Sequence, residues 1–279
     1  MPSQLMSLPR RRWTQALPFL ALVLQALPST ADELSVVATI KPVHALVAQV
    51  MGTTGSPELL VGGTTSPHTF AIKPSDVKKL ARASVVFRVA EAVEPFTAKM
   101  VGQLPKGAVL VTLATAPGIA TLPRRAGGPF EAHGHKGHDH DKHKHTNEAP
   151  SGGIDGHVWL DPANAAAMLD AIAATLAAKA PENATAYRAN ASAAKARLEV
   201  VAKEIAAELA PVAGKPFIIF HDATQYFEQR FGLTVAGSIT VDPDVPASGK
   251  RLSALRAKVA SSGAACVRSE ERRVGKECA

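Results

Sequence analysis

The chain has 279 residues, 46% of them hydrophobic and 20% charged, a globular composition long enough for one large domain or two modest ones. Three charges of its formal +7 are Arg10, Arg11 and Arg12; the remaining +4, spread over interspersed lysines, gives no reason to invoke nucleic acid. Residues 1–31 read as an export signal, with a basic region ending at Arg12, an apolar stretch over 13–27, and Ser29-Thr30-Ala31 as a small-residue cleavage site. The apolar stretch is shorter than the roughly 20 residues that a membrane span needs. A cleaved signal is expected, with an uncleaved anchor as the alternative. Export would permit a disulfide between the two cysteines, Cys266 and Cys278.

From residue 32 onward, β-branched runs alternate with helical patterns. Residues 34–40, 58–61, 84–89 and 108–113 read as buried strands, and 43–51, 74–83 and 94–104 as helices. The second helix opens on a Pro74-Ser75-Asp76 start signal. Such alternation predicts parallel βαβ units, and hence an α/β fold. Residues 117–153 break the pattern: rich in Gly, Pro, His and Lys and without apolar periodicity, they predict a mobile loop. Order resumes at Asp155 and continues into an alanine-rich helix over 164–179.

A second helix is predicted over 184–209. Tyr187, Ala191, Ala194, Leu198, Val201, Ile205 and Leu209 recur at spacings of three and four and draw one apolar stripe along it. At 1.5 Å per residue it would be roughly 40 Å long, which suits a strut between two lobes; an oversized surface helix is the alternative. Strands over 216–220 and 233–239, helices over 222–231 and 252–262, and a strand beginning at 264–267 follow. The expected organisation is an N-terminal lobe over 32–182, a linking helix over 183–210, a partial C-terminal lobe over 211–267 and an anomalous tail over 268–279.

Ten histidines are present, and six of them, His133, His135, His138, His140, His143 and His145, fall within thirteen residues. Neutral imidazole is the commonest protein ligand for zinc. Ordering such a tract costs roughly 1–2 kcal/mol per residue, so it reads as a weak collector of several ions, or else as a solvated loop with no task. Three others sit beside strand-loop junctions. His68 follows the 58–61 strand and a Gly62-Gly63 turn; His221 directly follows Phe220; His157 precedes Val158-Trp159. Ligands of open α/β sheets collect outside the carboxyl ends of the strands, where His68 and His221 are predicted to lie. His44 lies on the face of the first helix and reads as a packing or capping residue.

These residues, in order, resemble a known family. Ser66-Pro67-His68-Thr69-Phe70, Lys73 to Val77, Val85-Val86-Phe87, Glu94-Pro95-Phe96, Asp155 to Pro162, and Phe220 to Ala223 with Tyr226-Phe227 are similar to the zinc-uptake solute-binding proteins of bacterial ABC transporters, the ZnuA type. The resemblance runs from about Ser35 to Val267 and includes the histidine-rich loop. It implies two Rossmann-like lobes joined by a long rigid helix, with Zn2+ held between them as cargo by His68, His157 and His221. It further implies an aromatic surround from Tyr226 and Phe227, a periplasmic location, a monomer, and a membrane permease with its ATPase as partners. No enzymatic activity is implied.

Two departures stand out. Pro67 occupies the place where many relatives carry an acidic residue, which removes one candidate fourth ligand. Relatives also continue past Val267 through more of the second lobe, with an acidic residue near the metal, whereas residues 268–279 here fit neither a buried strand nor the family pattern. The second lobe is therefore expected to be incomplete, Cys266 to lack its family partner, and Cys278 to be an accidental neighbour. Three readings compete with zinc carriage: a manganese or iron carrier on the same fold; a zinc hydrolase, for which no His-Glu-x-x-His segment exists; and a truncated product that does not fold stably. Asp155, Asp161 and Asp222 can act as a base or, equally, as orienters of the ligands.

Overall fold

The computed structural model describes residues 34–125, 130, 153–240, 247–264 and 267–268. The export signal, the tract over 133–145, both cysteines and residues 269–279 lie outside the described residues. Residues 34–268 belong to one compact unit.

Two parallel sheets organise it. The first has the order β2-β1-β3-β4, built from β1 (Val36–Ala38), β2 (Glu58–Leu59), β3 (Val85–Arg88) and β4 (Val109–Thr112). Val36, Val37, Ala38, Val85, Val86 and Phe87 are all buried, as expected where helices cover both faces of a parallel sheet. The second sheet has the order β6-β5-β7 among the described residues, with β5 (Pro216–His221) flanked by β6 (Thr234–Thr240) and β7 (Val267–Arg268). The α/β expectation is met in both.

Helices α1 (Lys41–Met51), α2 (Pro74–Leu80), α3 (Thr97–Met100) and α4 (Pro162–Lys179) belong with the first sheet. Proline stands in the first turn of α1, α2 and α4, where its missing N–H costs nothing. Asp161 caps α4 by accepting from the Ala163 N–H at 2.9 Å. The helix expected over 94–104 is shorter: α3 gives way to a 3₁₀ turn over Val101–Gln103, ahead of Pro105, and Gly102 adds no helix propensity.

The long helix α5 spans Ala184–Leu209, as its periodicity predicts. Its apolar stripe is used unevenly. Tyr187, Ala191 and Ala194 are buried against the first-sheet core beside α1 and α4, whereas Val201 is 45% exposed. At the join with α1, Gly52 takes φ +56°, and a Cβ there would meet Asn190 Nδ2 at 2.6 Å. That amide instead donates to the Val50 carbonyl at 3.0 Å and docks the two helices.

Helix α7 (Gly249–Ser262) covers the second sheet over a small core of Ile218, Ala236 and Leu255, and α6 (Gln225–Phe231) connects β5 to β6. Arg251, itself buried, fastens α7 to β6 through the Ser238 and Ile239 carbonyls. Tyr226 of α6 belongs instead to the first core. One helix thus joins the two sheets' territories.

One buried acid beside the first sheet is unusual. Glu94 Oε2 accepts from the Val89 and Ala90 N–H groups at 2.7 and 3.2 Å, while Oε1 is buried with no hydrogen-bond partner among the described residues. Burial raises its pKa to about 7; the Thr39 hydroxyl, the two amides and the Arg88 charge offset only part of that.

Candidate metal centre

Each of the three junction histidines arrives by a different route. His68 lies on the irregular segment between β2 and α2, His221 is the last residue of β5, and His157 precedes the 3₁₀ turn Val158–Leu160 that leads into α4. They nevertheless converge. Ring centroids are 5.5 Å apart for His68 and His157, 5.3 Å for His68 and His221, and 5.3 Å for His157 and His221. One ligand nitrogen from each lies within 4.8 Å of the others. Nitrogens sharing one tetrahedral zinc at about 2.05 Å are about 3.3 Å apart, so a contraction of at most about 1.5 Å completes the site.

His157 and His221 are buried and His68 is half-buried. They open into a cavity of about 570 Å³, also lined by Val61, Val93, Trp159, Ile219 and Phe220. Lys41, Thr64, Thr65, Ser66 and Thr224 also line it, so the trio faces a cavity of mixed apolar and polar walls. Gly156 brings Val93 this close: a Cβ at 156 would stand 2.4 Å from Val93 Cγ2. His44 stays outside the site, with Nε2 3.0 Å from the Pro57 carbonyl, in the packing role expected of it.

The carboxylates near the three histidines have separate duties. Asp155 Oδ1 contacts His157 Nδ1 at 2.7 Å and accepts from the His157 backbone N–H at 3.0 Å. A carboxylate only accepts, so Nδ1 carries the proton and Nε2 offers its lone pair. Asp161 is held by Arg230 at 2.7 Å, and Asp222 by Arg125. Of the three candidate orienters, Asp155 holds the ring of His157; the other two are engaged by arginines.

The expected aromatic surround is corrected. Tyr226 and Phe227 do not line the cavity: the Tyr226 hydroxyl donates to the Asp155 carbonyl at 2.7 Å and accepts from the Leu122 N–H at 2.9 Å, and Phe227 packs on Phe231. Burial pushes the Tyr226 hydroxyl pKa up, which keeps it a donor. Trp159 and Phe220 are the aromatics at the cavity, with Trp159 5.3 Å from the His157 ring. Phe220 directly precedes His221 and Trp159 stands two residues after His157, and that nearness in sequence is the available signal.

The expected loop over 117–153 is also more ordered at its ends. Leu122 to Arg124 pair with 153–155 in a short antiparallel stem, through the Pro123–Ile154 bridge, Arg124 N–H to the Gly153 carbonyl at 3.0 Å, and Asp155 N–H to the Leu122 carbonyl at 2.8 Å. Asn164 holds the approach to it by pairing with both backbone groups of Ala120. Asn164 is itself buried, and hydrogen bonds of this kind leave no mark in hydropathy.

Comparison with known proteins agrees with this architecture. The family described as zinc-uptake complex component A, periplasmic, matches residues 36–276. A high-affinity zinc uptake system protein ZnuA of Brucella abortus is 42% identical over 253 residues, covering 84% of this chain and 76% of the relative. Its namesake in Yersinia pestis is 31% identical over 264 residues, covering 94% and 83%. The Zn(II)-bound ZnuA-like domain of Streptococcus pneumoniae AdcA superposes with a TM-score of 0.65 at 26% identity, over 86% of this chain and 79% of that one. With the matched region spanning both sheets and all three converging histidines, the chain belongs to the ZnuA family of periplasmic zinc-uptake components.

Proposed function

We propose that this chain carries one zinc ion in the periplasm and delivers it, as a monomer, to the membrane permease of an ABC transporter and its ATPase. The observation that carries the reading is the convergence of His68, His157 and His221 from three distant parts of the chain. Three neutral imidazoles leave a fourth tetrahedral position for water or a carboxylate. Their softness suits zinc better than manganese, which favours oxygen ligands. The names of the relatives support the same cargo. Asp155, Asp161 and Asp222 are each committed to a histidine or an arginine, which favours a carrier over a hydrolase needing a poised base. The export signal read over residues 1–31 supports the compartment. The histidine tract, His133 to His145, serves as a low-affinity collector in addition to the tight site.

Titration calorimetry on the His68→Ala, His157→Ala and His221→Ala variants tests the assignment. Each is expected to weaken zinc binding by at least about tenfold, since each removes one of three protein ligands. Unchanged tight binding in all three defeats it.

A further inference from the structure

Arg125 ends the described part of the first strand of the stem, and its guanidinium crosses to the second sheet's territory. Its Nε donates to both Asp222 oxygens at 3.0 and 3.3 Å, and one terminal nitrogen contacts Asp222 Oδ1 more closely still. The terminal nitrogens also donate to the two Glu228 oxygens at 2.6 and 3.1 Å. Phe130 covers the guanidinium, its ring centroid 4.2 Å away. The side chains are 19%, 8% and 7% exposed for Arg125, Asp222 and Glu228, so water does little to screen this cluster. Burial works against the cation, and the two carboxylates more than compensate, holding Arg125 above its usual range.

The place of the cluster gives it a consequence. Asp222 directly follows His221, the ligand that the second sheet contributes. The stem that carries Arg125 ends at Asp155, which orients His157. A planar five-donor fork fixes two carboxylates in direction as well as in charge, which an ammonium does not. We propose, on the strength of the zinc-carrier reading, that Arg125 is a positioning residue for the metal centre: by clamping Asp222 and Glu228 to the stem, it holds His221 in register with His68 and His157 and slows zinc release.

Zinc dissociation into excess chelator, followed by stopped flow, tests this on the full chain as Arg125→Gln, Arg125→Lys and Asp222→Asn, beside the exposed-pair control Arg82→Gln. Arg125→Gln should release zinc about tenfold faster with little change in association, and Arg125→Lys and Asp222→Asn about threefold faster. Arg82, on a solvated surface pair with Glu58, should change nothing. A purely structural role would lower the melting temperatures of metal-free and zinc-loaded protein together, whereas positioning narrows the gap between them. Should Arg125→Gln not fold, the Lys and Asn variants carry the measurement. Wild-type release rates in every folded variant overturn the inference while leaving the carrier reading intact; failure of the wild-type chain to bind zinc tightly overturns the carrier reading itself.

Discussion

Replacing Asp155 probes how far the proposed zinc site depends on a residue outside its three histidines. One oxygen, Oδ1, serves both the ring Nδ1 of His157 at 2.7 Å and its backbone N–H at 3.0 Å, and Asp155 and His157 are 5% and 7% exposed. In Asp155→Ala the ring loses the acceptor that fixes its tautomer and angle, and a buried N–H loses its partner. Removing such an orienting partner weakens metal affinity about 10- to 100-fold, which corresponds to about 1.4–2.8 kcal/mol. Asp155→Asn keeps an oxygen for both N–H groups but not its charge. It should stay within about tenfold of wild type, because the charge-assisted part of a hydrogen bond is roughly half its strength. Zinc affinity by chelator competition, with melting of the metal-free protein alongside, separates orientation from folding. If Asp155→Ala binds zinc within about twofold of wild type, His157 needs no orienting partner and the reasoning fails.

Deleting residues 133–145 should leave the tight site untouched and lower only the number of zinc ions bound per chain, as counted by calorimetry; loss of the tight site would make the tract part of it. Glu94 sets a pH dependence on stability: its folded pKa of about 7, above 4.5 unfolded, means no penalty below pH 4.5 and one that grows to about 3 kcal/mol as pH rises through 7. Denaturation of the metal-free protein across that window should therefore show stability falling, and Glu94→Gln should flatten the fall; an identical slope in the variant would refute it.

Much of this was legible in the sequence because short-range rules act there. The α5 stripe, the Pro74 start signal and the β-branched runs each encode local periodicity, and the helix and strands stand where those patterns are. The three histidines were legible for a topological reason: strand ends of an α/β sheet face its crevice, and His221 ends one strand while His68 follows another. What failed was tertiary. Tyr226 reads as a cleft aromatic by its motif, yet its hydroxyl finds two backbone partners in the stem, 104 and 71 residues away in sequence. The tie from Arg125 to Asp222 spans 97 residues, and its stem sits inside a stretch whose composition says only loop. Such contacts depend on packing that no window of neighbouring residues contains.

The distribution of charge around the cavity bears on what the site can release as well as what it can hold. Asp155 is used on His157, Asp161 on Arg230, and Asp222 and Glu228 on Arg125. Every one of these acids is engaged by an arginine or by His157, and the donors proposed to meet the ion are imidazole nitrogens. A zinc ion held this way keeps its double positive charge, because neutral imidazoles donate lone pairs without cancelling it. Affinity then comes from three well-oriented bonds, and little of it from Coulomb attraction to the protein. Disturbing one bond removes a large share of the binding, and the ion remains strongly attracted to any carboxylate offered by an acceptor. The neutral, three-ring arrangement with its acids occupied elsewhere suits capture followed by transfer.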